Sequence, residues 1–150
     1  MPDMRILPMK EEDLDEVESI EREAFCHGWS KAMYAAELNK NNSFHYVLVD
    51  PEEKVVGYYG FIKIFEDAEV TNVAVKREFR GKGLGNFLIE DMEKRALSLG
   101  IDNIFLEVRV SNAAAIGLYE KHRFSVINIR KKYYDGVEDA LIMKRVLKEE

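Results

Sequence analysis

The chain has 150 residues, a one-domain size at which about 70% of the unfolded surface can be buried in a proper core. Its formal net charge of −6 argues against a nucleic-acid binder, which needs clustered Lys and Arg beyond a local pair such as Lys131 and Lys132. No apolar run approaches the ~20 residues of a membrane span, and "MPDMRILPMK" lacks a signal-type apolar core. One cysteine and three scattered histidines offer neither a disulfide framework nor metal-ligand spacing. The expectation is a single cytoplasmic domain over residues 1–150, with no metal, no membrane, no direct nucleic-acid contact, and a small-molecule or protein substrate.

In chain order, "KEEDLDEVESIEREAF" sets Leu14, Val17, Ile20, Ala24 and Phe25 at helical spacing, with carboxylates in the first turn where the helix dipole favours them. Ser30 is a good N-cap for a second, shorter helix through Met33 and Leu38. "FHYVLVD" and "VVGYYGFIKI" predict a hairpin around "PEEK", and a third strand runs from about Ala68 to Val75. A helix with Leu84, Phe87, Leu88, Met92 and Ala96 on one face follows, ended by Gly100 as its C′ residue. "NIFLEVRV" is a strand and "SNAAAIGLYEKH" a capped helix. The tail predicts two strands around "DG". Antiparallel strands followed by β-α-β make an α/β chain with a mostly antiparallel sheet.

Between the third strand and the third helix lies "KREFRGKGLG". Gly81, Gly83 and Gly85 precede a helix, where backbone N–H groups form a concave nest backed by the helix dipole. Glycine tolerates positive φ and lets a diphosphate approach the main chain, and Arg80 and Lys82 add positive charge at the rim. The spacing excludes a P-loop, because Asn86 stands where its second glycine belongs. It is not the dinucleotide G-x-G-x-x-G either, and a ligand-free glycine turn remains open on spacing alone.

Arg80-x-x-Gly83-x-Gly85 matches the [QR]-x-x-G-x-[GA] motif, and the chain resembles the GNAT family of N-acetyltransferases. "TNVAV" and "LEVRVSNAAAIGLYEKHRF" are similar to its RimI-like branch, which acetylates N-terminal alanine of ribosomal proteins. "KKYYDGVEDALIMKR" is shared with the wider group of protein N-terminal acetyltransferases. The resemblance spans about Arg5 to Arg145. It implies the GNAT acyl-CoA N-acyltransferase fold, a mixed, mostly antiparallel, splayed sheet flanked by helices, with acetyl-CoA as cosubstrate and a protein N-terminus as acceptor. Val73, Ala74 and Val75 would then offer backbone groups to the pantetheine arm and thioester. Gly81, Lys82, Gly83, Leu84, Gly85 and Asn86 would hold the diphosphate beside Arg80, and Asn112 would contact the cofactor. Glu107 corresponds to the general base and Tyr119 to the general acid. Two departures fall in ligand-facing loops: Gly28-Trp29-Ser30 replaces the usual "PWS", and Gly81 replaces a basic residue.

Each of these residues also has a plain structural role. Alternation in "IFLEVRV" puts Glu107 with Phe105 and Arg109, opposite Ile104, Leu106, Val108 and Val110. The expectation is that helices cover the Glu107 face, making the carboxylate a stronger base, with Arg109 opposing the effect. Otherwise Glu107 is a strand carboxylate paired with a surface cation. Tyr119 reads by spacing as a core tyrosine, Asn112 as a helix N-cap, and Trp29 as an anchor between helices. Tyr133 and Tyr134 divide evenly between strand packing and the lining of an acceptor groove. Cys26 is a packing residue, with an acetyl-carrier role as the minor alternative. Rival functions are acetylation of other N-termini, lysines or small amines, and a non-catalytic coenzyme A sensor.

Overall fold

The computed structural model describes residues 3–25 and 27–148, so Cys26 lies outside the described residues. The chain forms two compact units, Met1–Ile62 with Thr71–Met92, and Lys63–Val70 with Glu93–Glu150.

The first unit contains β1 (Arg5–Pro8), α1 (Leu14–Ala24), α2 (Lys31–Leu38), β2 (Ser43–Val49) and most of β3 (Val55–Ile64). It also holds the second half of β4 (Asp67–Val75) and the start of α3 (Leu84–Ser98). β1 and β2 pair antiparallel from Arg5↔Val49 to Pro8↔Tyr46, and β2 and β3 form the expected hairpin. Leu14, Val17 and Ile20 of α1, at the spacing read from the sequence, pack with Tyr34, Val47, Val49, Val55, Tyr58 and Ala74. Each such aliphatic side chain contributes roughly 1.5–3 kcal/mol on burial. Ser30 caps α2 as expected, its Oγ accepting from Met33 N–H at 3.2 Å. Trp29 packs on Tyr34 and His45, with ring centroids 5.1 and 5.9 Å away.

A buried carboxylate ties these elements together. Glu21, 1% exposed, accepts at Oε1 from the Tyr34 hydroxyl (2.9 Å) and the Tyr58 hydroxyl (2.5 Å). Its Oε2 accepts from Trp29 N–H (2.9 Å) and Asn72 Nδ2 (2.8 Å). Four donors thus replace the water that a buried carboxylate loses. The side chain lies so close to the α1–α2 turn that a Cβ at residue 28 would stand 2.5 Å from Glu21 Cγ, hence Gly28.

The second unit contains the first half of β4, the end of α3, β5 (Asn103–Arg109), α4 (Ala113–Lys121), β6 (Ser125–Tyr134) and β7 (Glu138–Val146). β4 and β5 pair in parallel over Asp67↔Asn103, Ala68↔Ile104 and Glu69↔Phe105, while β4 itself runs on to Val75. β7 lies between β5 and β6 and is antiparallel to both. The seven strands make a mixed, mostly antiparallel sheet. Gly100 ends α3 at φ +76°, and the β6–β7 turn places both Asp135 (φ +56°) and Gly136 (φ +72°) in the left-handed region. Glu93 joins α3 to α4 and β7, through His122 Nδ1 at 3.0 Å and Arg145 Nη2 at 3.2 Å. Among the described residues, no helix is long and apolar enough to cross a membrane.

His45, on β2, bonds through Nε2 to Ser43 Oγ at 2.8 Å. Burial lowers its pKa to about 4, against a smaller upward pull from the Glu37 charge. An unfolded imidazole titrates near 6.5, so the unfolded chain binds more protons within that interval. The stabilisation from a neutral His45 is therefore complete above about pH 6.5 and is lost as the pH falls toward 4, reaching about 3 kcal/mol. In urea unfolding, the wild-type midpoint is expected to drop more steeply over this window than that of His45→Gln; equal slopes would contradict the assignment.

Candidate active site

The glycine-rich turn belongs to the first unit. After β4, a short 3-10 turn over Arg77–Phe79 leads to Arg80, and Gly81 and Gly83 then adopt φ of +75° and +80°. Both residues are exposed, and a Cβ on either would meet nothing within 4 Å. Backbone conformation, not crowding by the protein, therefore requires glycine, and the side facing outward is open. Gly85 departs from expectation: it is the second residue of α3 and not part of the left-handed turn. Leu84, 1% exposed, fastens the start of the helix to the core. The first i→i−4 bond of α3 runs from Phe87 N–H to Gly83 C=O (3.2 Å), so the amides of Leu84 and Gly85 precede the helical ladder.

Arg80 does more than furnish the rim. Its Nε donates to Val75 C=O at 2.9 Å, tying the turn to the end of β4. Lys82 holds its ammonium 5.5 Å from the centre of the Phe79 ring. In the strand, Ala74 is buried, Val73 and Val75 are partly exposed, and Lys76 N–H returns to Val56 C=O at 2.8 Å.

Glu107, Asn112, Tyr119, Tyr133 and Tyr134 belong to the second unit. The buried face of β5 is Ile104, Leu106 and Val108, whereas Glu107 is exposed. The expected cover over Glu107 is thus corrected: the apolar alternate face takes the core, because burying it gains hydrophobic free energy and burying the carboxylate costs it. Val110, grouped with that face, lies past the end of β5 and is also exposed.

Glu107 has other company. Arg130 Nη1 is 3.3 Å from its Oε1, and the Tyr133 hydroxyl hydrogen-bonds to it. That bond, helped by partial burial, holds the Tyr133 pKa above the usual tyrosine range. Arg130 stacks over the Tyr133 ring at 5.0 Å. Arg109, expected to oppose Glu107, is engaged elsewhere: it stacks on Tyr134 at 4.2 Å and pairs with Glu138 (3.1 Å) and Asp135 (3.6 Å). Tyr134 is raised by burial first, then by the charge of Glu107.

Tyr119, 9% exposed on α4, packs against Phe124 with ring centroids 5.5 Å apart. Burial, with a contribution from Tyr134, pushes its pKa up to about 12. The phenol is therefore a core residue that keeps its proton at neutral pH. Asn112 caps α4, its Oδ1 accepting from Ala115 N–H at 3.1 Å, so the amide nitrogen remains the group directed at anything else. Among the described residues, no cluster of three or more His, Cys, Asp or Glu is placed to hold a metal ion.

Arg130 escaped sequence reasoning. Its approach to Glu107 depends on β7 lying between β5 and β6, with the small Ala140 paired to both Arg109 and Arg130. Local spacing carries no trace of that insertion.

The sequence profile of the Acetyltransferase (GNAT) family matches residues 14–124. The [ribosomal protein bS18]-alanine N-acetyltransferase of Escherichia coli (strain K12) is 34% identical over 134 residues, 87% of this chain and 89% of that protein. A Bacillus subtilis (strain 168) protein provisionally named for the same activity is 40% identical over 136 residues, 90% of each chain. The crystal structure of the ribosomal-protein-S18-alanine N-acetyltransferase from Escherichia coli superposes with a TM-score of 0.89 and 30% identity, covering 98% of this chain and 96% of that one.

The glycines of the turn are separable by substitution. Gly81→Ala and Gly83→Ala are each expected to lower the stability of the ligand-free protein by about 1–2 kcal/mol, because a Cβ is strained at these φ values. Gly85→Ala, at the second residue of α3 and outside the left-handed region, should change it by no more than about 0.5 kcal/mol. Denaturant midpoints of the three variants check this, and an equal effect at all three positions would remove the distinction.

Proposed function

Since the chain belongs to the Acetyltransferase (GNAT) family and is an acetyl-CoA-dependent N-acetyltransferase, we propose that it acetylates the N-terminal α-amine of a protein, foremost the N-terminal alanine of ribosomal protein bS18. The observation that carries this acceptor is likeness over 87–90% of the chain to relatives named for that reaction. Residues 1–150 act as one catalytic domain in this reading.

Bound acetyl-CoA supplies an activated thioester. The open, left-handed Gly81–Gly83 turn and the start of α3 fit a diphosphate, with Arg80 and Lys82 supplying positive charge. Val73, Ala74 and Val75 present main-chain groups to the pantetheine arm, although the Val75 carbonyl already accepts from Arg80. Asn112 offers its amide nitrogen while its oxygen caps α4.

A free α-amine has a pKa near 8, so only roughly a tenth is neutral at pH 7. Glu107 receives the proton, directly or through water, as the amine attacks the thioester carbonyl. Tyr119 supports the departing thiolate. A phenol held at about 12 keeps its proton against a thiol near 8.5, because transfer runs uphill by roughly 3.5 units, about 5 kcal/mol. Its contribution is therefore a donated hydrogen bond that stabilises the departing thiolate, which takes its proton from solvent on release. Tyr133 and Tyr134, around Glu107, line the acceptor's approach.

Mass spectrometry of an Ala-starting bS18 peptide incubated with acetyl-CoA is expected to locate the acetyl group on the α-amine. Modification confined to lysine would reject the acceptor. Glu107→Gln should lower kcat by on the order of 100-fold and Tyr119→Phe by about tenfold or more, with coenzyme A affinity retained. Wild-type turnover in both would make the two side chains structural.

A further inference from the structure

In the proposed reaction Glu107 meets the acceptor amine, and the role assigned to Arg130 rests on that reading. The carboxylate already has a cation. Arg130 Nη1 stands 3.3 Å from Oε1, with the Arg130 and Glu107 side chains 52% and 31% exposed. The other nearby guanidinium is committed: Arg109 is held by Glu138 at 3.1 Å and Asp135 at 3.6 Å. An acceptor α-amine reaches the enzyme mostly as an ammonium ion, since its pKa is near 8. Two cations therefore have a claim on one carboxylate.

We propose that Arg130 is an internal competitor of the acceptor: its guanidinium occupies Glu107 until the acceptor's α-ammonium displaces it, after which the carboxylate, directly or through water, takes one ammonium proton and the neutral amine attacks. The exchange leaves the local charge unchanged, one monocation replacing another. Tyr133 gives the displaced group somewhere to stay, because the guanidinium already stacks over its ring at 5.0 Å. The Tyr133 hydroxyl, hydrogen-bonded to Glu107, holds the carboxylate in place during the swap. Half-exposed ion pairs are weak, so displacement lowers acceptor affinity by no more than about fivefold. That is small enough to leave turnover intact and large enough to measure.

The test is steady-state kinetics of the full chain on an Ala-starting peptide, for wild type, Arg130→Gln, Arg130→Lys and Glu107→Gln. Arg130→Gln is expected to lower the acceptor KM by about three- to fivefold, leaving kcat and the acetyl-CoA KM within about twofold. Low concentrations of guanidinium ion should then inhibit Arg130→Gln competitively against the peptide and restore the wild-type KM. Arg130→Lys, which keeps the charge but loses the planar fork, should fall between the two. A higher acceptor KM, or a lower kcat at unchanged KM, would overturn the proposal and make Arg130 a support for the base. If Glu107→Gln turns over normally, the assignment of Glu107 fails first. If it is impaired while Arg130→Gln keeps the wild-type KM, only the competition fails.

Discussion

Between β4 and α3 the backbone turns through two left-handed residues, and the functional account depends on that constraint. At φ near +75° and +80°, Gly81 and Gly83 hold a conformation that an L side chain resists, which delivers the chain into α3 with main-chain amides ahead of the helical ladder. The turn is held at both ends, by Leu84 in the core and by Arg80 on the Val75 carbonyl. A binding surface made of backbone does not depend on flexible side chains finding their geometry. In a chain of net charge −6, Arg80 and Lys82 place positive charge beside that backbone, whereas Lys76 and Arg77 are paired with Glu78 (3.6 Å) and Glu23 (3.7 Å).

In the second unit a carboxylate stays outside the core. Glu107 is exposed, so under the proposed mechanism its effect on the acceptor would come from position more than from a low-dielectric surrounding. Two arginine–tyrosine stacks flank the end of the sheet, Arg109 on Tyr134 and Arg130 on Tyr133. The first is neutralised by Glu138 and Asp135, the second by Glu107 itself. Tyr119 lies in the opposite environment, a buried phenol that stays protonated across the neutral range.

Much of this was legible locally. Ser30, Asn112, Gly100 and the Asp135-Gly136 turn each do what their residue types dictate, because caps and tight turns are set by a few neighbouring residues. The two left-handed glycines were legible for the same reason. Gly85 was grouped with them because composition does not distinguish a turn glycine from one inside a helix. Alternation correctly divided β5 into two faces but not which face the core would take. The Arg130–Glu107 pair and the Glu21 mesh were hidden because each joins residues far apart in sequence. The first depends on β7 being inserted between β5 and β6, and the second on Tyr34, Tyr58 and Asn72 converging from three elements.

The most direct measurement compares calorimetric binding of coenzyme A with that of pantetheine, which has the same arm and thiol but lacks the diphosphate together with the adenosine 3′-phosphate, in the wild type and in Gly83→Ala. If the Arg80–Asn86 backbone holds the phosphoryl groups, coenzyme A should bind the wild type at least about 100-fold more tightly, two charge-assisted hydrogen bonds being sufficient for that difference, and Gly83→Ala should narrow the gap. Equal affinities in the wild type, or an unchanged gap in Gly83→Ala, would contradict the account at its root.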